Sequence, residues 1–142
     1  KGKVARIFSA IGFVGAAGKI ELDGVSIDAQ TDFATVAVSS LTDKPIADSD
    51  NLLLTTVGRA DNADVKYNEE HTVQLDCGHG QIMLETIKAR LEIHTSVPGM
   101  EVKAINPEGF IIRPVPSEQK DGVLSFEVRD ELPSMYYLIQ AQ

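Results

Sequence analysis

Between Thr86 and Thr95 the chain alternates without a break. Ile87, Ala89, Leu91 and Ile93 fall on one side, and Lys88, Arg90, Glu92 and His94 on the other. A strand repeats its side-chain direction every two residues, whereas a helix needs 3.6, so this spacing demands a half-buried β-strand with one face on a core. It points His94 to solvent. The rhythm returns at Val123 to Arg129, with Leu124, Phe126 and Val128 on one side and Ser125 and Glu127 opposite.

Other stretches read as strands on composition and flanking turns: Phe33 to Leu41, Asn51 to Val57, His71 to Leu75, Gln81 to Glu85, Glu101 to Ile105, Phe110 to Val115 and Met135 to Gln140. In the last of these, Tyr136 and Tyr137 are adjacent, so one of them faces the core. Lys19 to Leu22 and Val25 to Ile27 flank Asp23-Gly24, a strong hairpin signal because both central residues can take positive φ. Further turns fall at Asn106-Pro107-Glu108-Gly109 and Asp121-Gly122. Ile7 to Ala17 is apolar but carries Gly12 and Gly15, so it reads as an irregular edge strand or extended entry segment. At most one short helical turn is expected. Roughly ten short strands at spacings of about 8–12 residues predict an all-β fold, a single antiparallel β-sandwich of jelly-roll or immunoglobulin-like type.

A chain of 142 residues has room for a real core without metal or disulfide staples, and one domain over residues 1–142 is the expectation. It starts at Lys1, with neither a charged and apolar leader nor a span of about 18 apolar residues. The reading is of a domain excised from a larger chain, without a membrane segment, any export signal lying on the parent; a secreted or cell-surface setting is favoured through that parent. The formal charge of −8 would repel a phosphate backbone, and no basic cluster offsets it, so nucleic acid is not an expected partner. Cys77 is the only cysteine, which excludes an intramolecular disulfide.

Candidate chemistry is sparse. Cys77, His79, His71 and His94 are the soft metal ligands, but Cys77-Gly78-His79-Gly80 lacks the second ligand pair a zinc tetrahedron needs and reads as a glycine-flanked turn. A Cys77–His79 dyad would also need an orienting group and oxyanion donors, and the sequence identifies neither. Asp48, Asp50, Asp61 and Asp64 are the aspartates best placed for a structural calcium ion, although no calcium loop with its closing glutamate is present. Glu69, Glu70, Glu85 and Glu92 could supply a carboxylate pair, but glycoside hydrolysis needs two carboxyls facing across a deep cleft. No catalytic constellation emerges.

A family resemblance rests on Phe33-Ala34-Thr35-Val36, Ser40-Leu41, Lys44-Pro45-Ile46-Ala47 and the run Leu52-Leu53-Leu54-Thr55-Thr56-Val57-Gly58-Arg59-Ala60 to Asn62. Asn68-Glu69, the turn at Gly78 to Gly80 and Ile82-Met83-Leu84-Glu85 extend it to about half the chain. This pattern resembles a β-rich module toward the C-terminal end of large multidomain glycoside-hydrolase-type proteins, similar to the β-sandwich that follows a TIM-barrel catalytic domain. Tyr67 stands where that pattern has a tryptophan. The resemblance implies a noncatalytic accessory domain of a carbohydrate-active enzyme, contacting a polysaccharide or oligosaccharide or packing on the parent's catalytic domain. For sugar contact the candidates are Tyr67 as a stacking ring, Arg59 and Asp61 as hydroxyl partners, and Asn62 and Asn68 as donor-acceptor pairs. The alternative is an immunoglobulin-like spacer or adhesion module that binds protein by an exposed strand edge. Exposed aromatics in a concave face would favour sugar, and a bare edge or broad apolar patch would favour protein.

Overall fold

The computed structural model describes residues 5–129 and 133–142. Two antiparallel sheets form a β-sandwich. The larger runs in the order β1 (Ile7–Gly12), β4 (Ala34–Ser40), β5 (Asn51–Val57), β15 (Tyr136–Ala141), β11 (Met100–Ile105) and β12 (Ile111–Val115). The smaller runs β13 (Ser117–Lys120), β14 (Val123–Val128), β10 (Ala89–His94), β3 (Val25–Ala29) and β2 (Lys19–Leu22). Four short strands lie outside both sheets: β6 (Ala60–Asn62) pairs with β9 (Ile82–Leu84), and β7 (Lys66–Tyr67) with β8 (Gln74–Asp76).

The alternation read from the sequence is what fills the space between the sheets. Ala34, Val36 and Val38 of β4, Leu52 and Leu54 of β5, and Tyr137 and Ile139 of β15 point inward from the larger sheet. Val25 and Ile27, Leu91 and Ile93, and Leu124 and Phe126 meet them from the smaller one. Each fully buried Leu or Ile contributes about 1.5–3 kcal/mol of transfer free energy, offset by the entropy of ordering the chain. A one-residue slip in any of these strands would turn its apolar set to water, so the register is set by burial.

Local outcomes follow the same physics. β5 occupies the expected residues, and β14 ends one residue early. The alternating run at Thr86 to Thr95 becomes strand only from Ala89: Lys88 O still accepts from Gln30 N–H across from β3, but Lys88 N–H leaves the ladder for Thr31 Oγ1, both at 2.8 Å. His94 is exposed and Tyr137 is the tyrosine that enters the core. Ile7–Gly12 is a regular edge strand in continuous register with β4. The short helical turn is a 3-10 turn at Ile46–Asp48. At Asp121-Gly122 both residues have positive φ, 51° and 78°, but at Asp23-Gly24 only the glycine does, at 85°.

The strand count exceeds the expected ten. Among the described residues, eleven strands form the two sheets, and the other four are an excursion between β5 and β10. His71 to Leu75 and Gln81 to Glu85, read as ordinary strands, belong to that excursion, where their paired segments shorten to Gln74–Asp76 and Ile82–Leu84. Their apolar side chains stay in solvent because each pairs with one short strand and has no second sheet above it.

Candidate functional site

The excursion is a nested ribbon. The chain leaves the sandwich at Gly58, runs out along β6 and β7, turns at residues 68–73, and returns along β8 and β9 to Ile87. Its root is tight: a Cβ on Gly58 would come within 2.9 Å of Ile87 Cδ1 and 3.0 Å of Glu85 Cβ. Farther out, Gly78 has φ +65°, and a Cβ there would lie 2.5 Å from Asp64 Oδ1. Asp64 is the clasp of this turn. Its Oδ1 accepts the N–H groups of His79 at 2.8 Å and Gly80 at 2.5 Å, and these donors hold its carboxyl below the usual aspartate range. The Cys77 to Gly80 stretch is thus the glycine-bearing turn its composition suggests, with Cys77 an exposed free thiol.

All five residues nominated for sugar contact lie on this ribbon or at its root, and the ribbon uses their polar groups. Tyr67 donates its hydroxyl to Asp61 Oδ1 at 2.8 Å, a bond that raises the phenol pKa, and its ring stacks on His71 at a centroid distance of 5.5 Å. Asn62 Nδ2 donates to Cys77 O at 2.6 Å. Asn68 staples its own turn, accepting from Thr72 and Val73 N–H through Oδ1 and donating from Nδ2 to Thr72 Oγ1. Arg59 lies at the root, its guanidinium carbon 5.9 Å from the Phe33 ring centroid and its N–H on Glu85 Oε2 at 3.3 Å. Asn62, Asp61, Tyr67 and Asn68 thus bond within one small element, while Arg59 faces Phe33 at its root.

A different surface gathers where the ribbon meets the larger sheet. A cleft of about 260 Å³ opens there, lined by Leu84 and Ile87, by Pro107 and Ile112, and by Met135 and Tyr136. Glu85 is the carboxylate among its described lining residues. The two strands that contribute Leu84 and Ile112 to it carry large apolar exposure: Met83 and Leu84 on β9, and Phe110, Ile111 and Ile112 at the start of β12, are each about half exposed or more. Composition hides this surface, because an apolar Phe-Ile-Ile run reads as core. The available signal was Pro114, which cannot donate to a ladder and marks β12 as an edge strand.

The acidic residues weighed for calcium are dispersed. Asp48 accepts from Ser96 Oγ at 2.8 Å, Asp50 lies 4.0 Å from Lys44, Asp61 holds Tyr67 and Asp64 clasps the turn. Among the described residues no group of three or more His, Cys, Asp or Glu side chains is arranged to hold a metal ion. On the smaller sheet, Glu92 takes Lys19 Nζ at 3.0 Å, which lowers the carboxyl pKa and raises that of the amine. Comparison with models of known protein families, with curated proteins and with solved structures finds no match to this chain.

Proposed function

We propose that the chain is a noncatalytic accessory module that works by docking on a protein surface through the apolar cleft between ribbon and β12. The observation that carries this reading is the convergence of Leu84, Ile112, Met135 and Tyr136 on one cleft, with Leu84 and Ile112 about half exposed and the Glu85 carboxylate among the lining residues. Exposed apolar surface of this kind is kept where a partner covers it. Of the partners implied by the resemblance to glycoside-hydrolase accessory modules, a catalytic domain on the same polypeptide suits such a surface better than a polysaccharide. Sugar contact at Tyr67 would have to compete with the Asp61 hydrogen bond and the His71 stack that already occupy that side chain.

The test uses Leu84→Asp and Ile112→Asp in the polypeptide that carries the module, together with affinity electrophoresis of the chain on β-glucan, xylan, mannan and pectin. Both variants should leave the isolated chain's melting temperature unchanged and speed proteolytic release of the module from the parent. No polysaccharide should retard it. Retardation that Tyr67→Ala abolishes, with no effect of the two aspartates on the parent, would replace this reading by carbohydrate binding.

A further inference from the structure

Among the described residues, the two main sheets present four edge strands, β1, β12, β13 and β2. An open edge pairs with any strand it meets unless charge, proline or distortion prevents it. Three of the four are so protected: β12 carries Arg113 and Pro114, β13 carries Glu118 and Lys120, and β2 carries Lys19 and Glu21. β1 has none of these. Its sequence is Ile-Phe-Ser-Ala-Ile-Gly, it is unbulged against β4, and the strands beside it, β4, β5 and β15, also lack any charged residue. On a molecule with a net charge of −8 this is a marked local exception.

The free backbone groups of β1 can be identified. Ser40 N–H donates to Arg6 O, which makes Arg6 and Ser40 a hydrogen-bonded pair. Because such pairs alternate along an antiparallel ladder, Phe8, Ala10 and Gly12 bond to β4, while Ile7, Ser9 and Ile11 turn their N–H and C=O groups to the open side. The side chains of those same three residues lie exposed, Ile7 at 66% and Ile11 at 70%. The open edge therefore reads Ile, Ser, Ile, the same from either end. Arg6, which immediately precedes the strand, is held by its own chain on Thr42 O at 2.6 Å and Asp43 at 3.4 Å.

We infer that β1 pairs with β1 of a second copy, antiparallel about a two-fold axis through Ser9. Ile7 then lies opposite the partner's Ile11, Ser9 opposite the partner's Ser9, and Ile11 opposite the partner's Ile7, each pair exchanging both backbone bonds. A strand whose outward pattern is a palindrome is self-complementary, as a two-fold interface requires, and no charge is opposed to its like. The pairing consumes the open edge, so association stops at a dimer whose larger sheets run on as one.

Sedimentation equilibrium of the chain, of Ser9→Lys, of Ser9→Glu and of their equimolar mixture tests this. Wild type should dimerise, each charged variant should weaken the dimer by at least about tenfold through like charges meeting at the axis, and mixing the two should restore it. As a second measurement, Ser9→Cys in a Cys77→Ser background should crosslink under mild oxidation, since hydrogen-bonded antiparallel partners sit about 5.5 Å apart at Cα, within disulfide reach. A wild-type monomer up to about 1 mM, or a dimer that ignores both charges and leaves the introduced thiol uncrosslinked, overturns the inference.

Discussion

At the scale of single residues, Asp64 organises the ribbon. One carboxylate oxygen takes two backbone N–H groups that a turn with Gly78 at positive φ would otherwise leave without a protein partner. A carboxyl whose folded pKa is lowered contributes stability that is fully present above its unfolded value, about 4, and is lost as pH falls through the lowered folded value. The amide proton shifts of His79 and Gly80 should therefore titrate together with a midpoint below about 4, and Asp64→Asn should remove that titration. A midpoint at or above the ordinary aspartate value would show that the two donors do not act on Asp64 in solution.

At the scale of elements, the ribbon and the sandwich are separable. No residue of 59–84 belongs to the buried core, and the ribbon's two ends meet at Gly58 and Glu85. Replacing residues 59–84 with a two-residue Asn-Gly turn should leave one cooperative unfolding transition and move the melting temperature by less than about 5 °C. A fall beyond about 10 °C in calorimetry would mean the ribbon bears on the core after all. This division also explains what could be read in advance. β10 and β14 were legible because burial on one face writes an alternation into the sequence. β13, Ser-Glu-Gln-Lys, was not, since an edge strand held by β14 on one side needs few apolar residues. β6 and β7 are too short to carry a period. The polar residues of the ribbon could be nominated from their types, but their mutual bonds arise from nested pairing between strands distant in sequence. The apolar cleft was hidden for the opposite reason: Phe110 to Ile112 has a core-like composition in an exposed place.

At the scale of the whole molecule, stability rests on the layer between the sheets. Leu91 sits in the central strand of the smaller sheet with no exposed surface, so Leu91→Ala should cost about 2–5 kcal/mol by chemical denaturation. A loss under about 1 kcal/mol would mean the layer collapses around the gap. The position of β15 has a consequence of another kind. It is the last strand described, yet it lies between β5 and β11 in the middle of the larger sheet. Until residues 136–141 have been made, that sheet exists only as two fragments, β1-β4-β5 and β11-β12, each with a raw edge awaiting the same strand. Such distant pairing is slow. On the ribosome the sandwich must therefore wait for its closing strand, and the nascent chain is most open to mispairing just before that strand is made.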